Sequence, residues 1–128
     1  MGKQYLIDSN SVIDYLSGKL HVNGMTFMNQ IINEIPTISV ITKIEVLGYK
    51  TTNEATQLLE SFIQDSIVVG LSEEIVDKTI EIRKMYNTKI PDSVIAATAL
   101  VYNSILITRN LKDFQIIKGL ECINPHAI

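Results

Sequence analysis

The sequence has little of what marks a secreted or membrane protein. Its 128 residues include one cysteine, Cys122, which excludes an intrachain disulfide and a cysteine-based metal cage. The first residues, MGKQYLID, are too poor in consecutive apolar side chains for a secretory leader. The longest apolar stretch, residues 94–107, is interrupted by polar side chains and indicates a buried helix followed by a buried strand. We therefore expect a cytoplasmic protein without membrane contact.

Glycine motifs and histidine clusters are also lacking. The six glycines are scattered and form neither a P-loop nor a complete G-x-G-x-x-G pattern. The two histidines, His21 and His126, are far apart, and we interpret them as surface residues. The sequence thus does not support a nucleotide-binding loop or a histidine-based metal centre.

What the sequence does have is a regular alternation of short apolar segments and helical patterns. Strands are predicted over residues 5–8, 37–41, 66–70, 104–108 and, as a short fifth, 120–123. Helices are predicted from a capping box at 11–14, over 25–35, from a capping box at 42–45 to about 49, over 53–64, over 72–86, and from Asp92 onwards. This order predicts the α/β class: a three-layer α/β/α sandwich around a parallel sheet of four to five strands. The length fits one domain, residues 1–128.

Four acidic residues fall where this fold would bring them together. Asp8 ends the first strand, and Glu45 lies in the first turn of the helix after the second strand. Asp92 opens the helix before the fourth strand, and Asp113 lies in the loop after that strand. Because helix N-termini lie at the carboxyl edge of a parallel sheet, where ligands bind, all four acids are expected at one edge.

Each acid also has a purely structural explanation. Asp8 could form an Asx turn, Glu45 could complete a capping box, Asp92 could be an N-cap, and Asp113 could be a surface turn residue. Four such coincidences at one edge are less probable than one shared role. The combined interpretation is therefore a functional site.

Clustered carboxylates raise one another's pKa, and a divalent cation removes that cost. Oxygen-only ligands suit Mg²⁺ or Mn²⁺, which can activate water and stabilise a phosphodiester under attack. Whether one ion or two would bind stays open at this point.

The net charge of −3 lacks the basic balance typical of nucleic-acid-binding proteins. With the four acids set aside, however, the acidic groups number one fewer than the 11 basic ones, so the total decides little. Seven basic residues close to the motifs in sequence could form a local basic rim: Lys43, Lys50, Lys84, Lys89, Arg109, Lys112 and Lys118.

Essentially the whole chain resembles the PIN-domain family and, within it, the VapC-type toxins. The resemblance rests on four blocks that occur in the family's order and spacing. They are Tyr5-Leu-Ile-Asp-Ser-Asn10, Ser39-Val-Ile-Thr-Lys-Ile-Glu45-Val, Ile90-Pro-Asp-Ser-Val-Ile-Ala-Ala97 and Leu106-Ile-Thr-Arg-Asn-Leu-Lys-Asp113-Phe.

The resemblance implies that Asp8, Glu45 and Asp92 hold the metal. For the fourth position it allows two assignments, and we place Asp113 there. Asn110, where some members carry their last carboxylate, is kept as a neutral supporting residue.

The resemblance also implies that Ser9 and Thr108 hydrogen-bond the carboxylates or a metal-bound water. It implies an endoribonuclease that leaves a 5′-phosphate, acts on tRNA, rRNA or mRNA, and forms a homodimer. It further implies inhibition by a cognate antitoxin, as in a type II toxin–antitoxin pair.

Two other hypotheses remain. Asp8-Ser-Asn-Ser-Val12 is similar to the D-x-D-x-[TV] motif of haloacid-dehalogenase phosphatases, in which Asp8 would be a nucleophile. The acid–base residue of that motif is replaced here by Asn10, which cannot shuttle a proton. The other hypothesis is a non-catalytic module of the same fold that binds RNA or a protein.

Overall fold

The computed structural model describes residues 4–128. Residues 1–3, with which the predicted domain and the N-terminal segment begin, lie outside the described residues. The strands are β1 (Tyr5–Ile7), β2 (Thr37–Ser39), β3 (Ile67–Val69), β4 (Ile105–Ile107) and β5 (Cys122–Ile123). The helices are α1 (Ser9–Leu16), α2 (Val22–Asn33), α3 (Val40–Leu47), α4 (Asn53–Gln64), α5 (Glu73–Met85), α6 (Ile90–Val101) and α7 (Leu111–Phe114). A 3₁₀ turn covers Pro125–Ala127.

Every strand pair is parallel. β4 lies between β1 and β5 in one hydrogen-bonded ladder, β2 pairs with β3 in another, and β2 packs beside β1. The strands therefore follow the order β3-β2-β1-β4-β5, and the direction in which the chain adds strands reverses between β1 and β4. The predicted parallel α/β fold is confirmed, although the sheet consists of two ladders instead of one.

Two apolar clusters cover the two faces of the sheet. Leu6 and Leu106 pack with residues of α5 and α6, whereas Ile7, Ile105 and Ile107 pack with α1, α2 and α4. Because successive side chains of a strand point to opposite faces, this partition is what a central layer buried on both sides requires. No helix within residues 4–128 has the length and apolar character needed to cross a membrane.

The start of α3 differs from the sequence prediction. The side chain of Ser39 caps the helix by accepting a 3.1 Å hydrogen bond from the backbone N–H of Ile41. The capping box proposed at Thr42 is therefore wrong, and residues 40–41 are helical instead of extended. Glu45 lies in the second turn of α3, so a capping role no longer explains it.

Other helix boundaries also shift. α1 begins at Ser9 with Asp8 as its N-cap, so the capping box at Ser11 is wrong. α2 begins three residues before the predicted 25–35 segment and ends two residues sooner. α6 is capped by the backbone of Lys89, which places Asp92 inside the first turn and not at the N-cap. Asp113 belongs to the short helix α7 and not to a loop.

Candidate metal centre

Asp8 lies where the strand order reverses, between the carboxyl ends of β1 and β4. Open α/β sheets bind their ligands at this kind of crevice. The Asp8 side chain is 4% exposed, and its carboxylate accepts three hydrogen bonds. Oδ1 accepts from the backbone N–H of Ser9 at 2.8 Å, and Oδ2 accepts from Thr108 Oγ1 at 2.8 Å and from Asn10 Nδ2 at 3.1 Å. These contacts fix the direction in which the carboxylate points.

A hydrogen bond from Ser9 connects Glu45 to the site around Asp8. Ser9 Oγ donates a 2.9 Å hydrogen bond to Glu45 Oε1, which connects the first turn of α1 to the second turn of α3. The Glu45 side chain is otherwise exposed. Ser9 therefore contacts both acids, with its backbone at Asp8 and its hydroxyl at Glu45.

Asp92, in the first turn of α6, lies near Asp8 and Asp113. Burial raises the pKa of Asp92, and the negative charges of Asp8 and Asp113 raise it further, while Lys89 lowers it. Burial likewise raises the pKa of Asp8, with a contribution from the charge of Glu45, against hydrogen bonds that lower it. The four predicted acids thus interact electrostatically at one edge of the sheet.

Asn110 and Asp113 form a linked pair. Asn110 Nδ2 donates a 2.8 Å hydrogen bond to Asp113 Oδ2, and the backbone N–H of Asn110 donates to Thr108 Oγ1 at 3.0 Å. Thr108 therefore connects Asp8 to the segment that carries Asp113. Asn110 contacts the carboxylate of Asp113 as a donor, the role of a supporting residue.

The chemistry of these side chains fits a hydrated divalent cation. Within residues 4–128 no three metal-ligating side chains are close enough to enclose an ion by themselves. Mg²⁺ is commonly held by one or two carboxylates, several waters and a substrate phosphate, so an enclosing cage is not required. Burial and neighbouring charges raise the pKa values of Asp8 and Asp92, and a nearby cation would favour their charged forms.

Sequence reasoning missed a second charged group beside this edge. The buried carboxylate of Asp14 contacts both Arg109 Nη1, at 3.0 Å, and His126 Nε2, at 2.7 Å. The interpretation of His126 as a surface residue is therefore wrong, because it is partly buried against Asp14. Asp14 had been assigned to a capping box, and no local pattern relates it to residues about a hundred positions away.

Asn10 was also missed as a site residue. It donates to Asp8, and its Oδ1 accepts from the backbone N–H of Arg109 at 3.0 Å. An amide that donates to Asp8 cannot supply the acid–base function of a haloacid-dehalogenase phosphatase.

Comparisons with known proteins agree with the geometry. The model of the PIN domain matches residues 5–120, and no curated protein matches the chain. A toxin–antitoxin complex from Klebsiella pneumoniae contains a chain of 30% identity and TM-score 0.73, with 95% of this chain and 98% of that chain covered.

Two structures of lower identity share the fold. VapBC2 from Rickettsia felis, bound to a DNA fragment from its promoter, has 21% identity, a TM-score of 0.77, and coverage of 94% and 97%. DNA-bound VapBC from Salmonella typhimurium has 20% identity, a TM-score of 0.81, and coverage of 97% and 99%. The predicted resemblance to VapC-type toxins is confirmed, and the chain belongs to the PIN domain family.

Proposed function

We propose that this chain is a metal-dependent endoribonuclease, acting as one PIN domain over residues 1–128. The observation that supports the proposal best is the electrostatic coupling of four carboxylates at the strand-order reversal. Burial is the main reason that the pKa values of Asp8 and Asp92 are raised, and the charges of Glu45, at Asp8, and of Asp113, at Asp92, raise them further. Such repulsion is costly in a protein unless a cation compensates for it.

Asp8 and Asp92 would hold Mg²⁺ or Mn²⁺, with Glu45 and Asp113 as further oxygen ligands, directly or through water. When bound, the ion supplies an activated water and positive charge for a phosphodiester under attack. The surrounding residues orient the acids. Thr108 and Asn10 fix Oδ2 of Asp8, Ser9 directs Oε1 of Glu45, and Asn110 directs Oδ2 of Asp113.

The solved relatives support an antitoxin as a partner of this chain. The similar structure from Klebsiella pneumoniae is a toxin–antitoxin complex. We extend this to the chain as the toxin of a type II toxin–antitoxin pair, with a cognate antitoxin as inhibitor. The proposed substrate is tRNA, rRNA or mRNA, cut to leave a 5′-phosphate by a cytoplasmic homodimer.

Cleavage of total tRNA and rRNA by the purified chain, free of any antitoxin, tests the activity. We expect cleavage with Mg²⁺ or Mn²⁺, none with EDTA, and none from Asp8→Asn, which keeps an N-cap side chain at that position. Asp77→Asn, on the exposed side of α5, is the matched control and should cut like the wild type. If folded wild-type protein cut these RNAs no more than Asp8→Asn does, the proposal would be contradicted for these RNAs.

A further inference from the structure

Arg109 follows directly on Thr108, the residue that contacts Asp8. Its backbone N–H is held by Asn10, and its side chain runs along α1 to Asp14, four residues further on. Four residues of α-helix span about 6 Å along the axis. The guanidinium therefore lies about one helical turn along α1 from Asn10, the residue that donates to Asp8.

The guanidinium is oriented but not enclosed. Nη1 donates to both oxygens of Asp14, at 3.0 and 3.3 Å, and the Arg109 side chain is 58% exposed. Within residues 4–128, no hydrogen bond to protein engages its Nε or Nη2. The side chain thus presents an unused edge of N–H donors to solvent.

Asp14 does not present its carboxylate at the surface, where an incoming anion would meet it. Its side chain is 3% exposed, so a polyanion reaches Arg109 and not Asp14. His126 also contacts the same Oδ2 atom, so the carboxylate is shared between two nitrogen groups. The arrangement reduces the rotamer entropy that Arg109 would otherwise lose on binding a ligand.

An arginine held in this way suits a phosphate. The planar guanidinium can donate two parallel hydrogen bonds to phosphate oxygens, which an ammonium group cannot do. RNA must also approach an edge that carries four carboxylates. The positive charge of Arg109 offsets part of the repulsion between these carboxylates and the RNA phosphates.

We propose that Arg109 binds an RNA phosphate that flanks the scissile one, and that Asp14 is the positioning residue that orients it. The proposal rests on RNA as the substrate of the proposed function. It assigns Arg109 to substrate binding and gives the buried Asp14 a role in that binding.

The salt dependence of RNA binding separates this role from a structural one. The probe is a fluorescein-labelled single-stranded RNA of mixed sequence, bound to the full chain with Ca²⁺ in place of Mg²⁺ and titrated over a range of KCl concentrations. For Arg109→Gln we expect about fivefold to tenfold weaker binding at low salt, and a slope of log K against log salt shallower by about 0.7, the value for one phosphate contact on a single strand. Lys78→Gln, in the middle of α5 and paired with Glu81, is the control and should leave the slope unchanged.

Two further variants distinguish loss of the phosphate contact from loss of folding. Arg109→Gln leaves the buried Asp14 charge without its arginine, so the double variant Asp14→Asn/Arg109→Gln, which removes both charges, should reproduce the shallower slope. Arg109→Lys keeps the charge without the planar fork, and we expect it to keep the slope but bind more weakly.

An unchanged slope in folded Arg109→Gln or in the double variant would overturn the proposal, as would wild-type protein that binds no RNA. If wild-type protein binds RNA with the expected slope change but cuts none with Mg²⁺, the phosphate contact stands and the nuclease proposal fails.

Discussion

Thr108 Oγ1 donates a 2.8 Å hydrogen bond to Oδ2 of Asp8, across 100 positions of sequence. The same oxygen accepts the backbone N–H of Asn110. One hydroxyl therefore orients the most buried acid of the candidate site and the segment that leads to Asp113. Its loss should affect both.

Replacing Thr108 by Val removes this hydroxyl while keeping the shape of the side chain. We expect about tenfold or greater loss of Mn²⁺ affinity and a corresponding loss of cleavage at limiting metal, because residues that orient ligands commonly contribute that much. Thr108→Ser should retain most of both. Thr98→Val, which deletes a buried hydroxyl that donates to Val94 within α6, is the matched control. Equal Mn²⁺ affinities for the Thr108→Val and Thr98→Val proteins would show that the hydrogen bond is dispensable.

The fourth acid can be assigned by comparing two neighbouring residues. Asp113→Asn should lower cleavage by about tenfold or more, whereas Asn110→Ala should cause a smaller loss, because Asn110 acts through Asp113. Rates measured with Mg²⁺ over a range of concentrations provide the comparison, and Glu121→Gln, an exposed acid, serves as control. A larger effect at Asn110 than at Asp113 would reverse the assignment.

The metal-free protein should become more stable as pH falls from neutral. The folded-state pKa values of Asp8 and Asp92 are raised, mainly by burial, so the folded state takes up protons at a higher pH than the unfolded chain. This stabilisation is complete below the ordinary carboxyl pKa and is lost as pH rises through the raised folded pKa values.

Urea unfolding in EDTA at several pH values measures the effect. Asp92→Asn should show a smaller gain on acidification than the wild type, and Mg²⁺ should reverse the wild-type trend by favouring the charged carboxylates. If the unfolding free energies of wild type and Asp92→Asn depended on pH in the same way, protonation of Asp92 would not be the source of the stabilisation.

Cys122 should be an unreactive thiol in the native protein. Burial, with a smaller contribution from the charge of Asp8, raises its pKa to about 11 from 9.0. The thiolate is the reacting species, so alkylation by iodoacetamide at pH 8 should be slower than in the urea-unfolded chain by on the order of a hundredfold. Asp8→Asn should speed the native reaction slightly. Alkylation of Cys122 as fast in the native protein as in the unfolded chain would contradict the raised pKa of the thiol.

Gly24 in α2 is a close-contact position. A Cβ there would lie 2.2 Å from the backbone oxygen of Pro125 in the C-terminal 3₁₀ turn. Alanine usually favours a helix over glycine by up to about 1 kcal/mol, but the collision should make Gly24→Ala less stable by about 1–3 kcal/mol. Gly70→Ala, whose added Cβ meets no atom within 4 Å, is the control in thermal or urea unfolding. If Gly24→Ala were as stable as Gly70→Ala, the 3₁₀ turn at Pro125 could move away from the added Cβ without loss of stability.

The sequence was sufficient for the order of strands and helices but not for every boundary. The apolar segments around Leu6 and Leu106 identify buried strands because both of their faces are covered. The helix after β2 was placed too late because Ser39 and Thr42 are both acceptable caps. The ladder with β3 ends at Ser39, opposite Val69, and that long-range pairing selects the earlier cap.

The same limit applies to the candidate site. The positions of Asp8 and Asp92 relative to the strands could be predicted, because a parallel sheet sends helix starts and strand ends to one edge. The hydrogen bonds that Asn10 and Thr108 make to Asp8 depend on how α1 and the end of β4 come together in the fold, which the sequence pattern does not specify. The contacts of Asp14 with Arg109 and His126 join three distant segments, and no spacing rule in a single sequence reports them.

The pairing of β1 with β4 has a consequence for synthesis of the protein. A ribosome adds Asp8 and Glu45 early, but Asp92, Thr108 and Asp113 come from the last third of the 128 residues. Before β4 and the residues after it have been synthesised, a growing chain lacks Asp113, the pairing of β4 with β1, and the Thr108 hydroxyl that orients Asp8. The proposed active site would therefore be complete only after β4 and the segment that carries Asp113 have been synthesised and have folded.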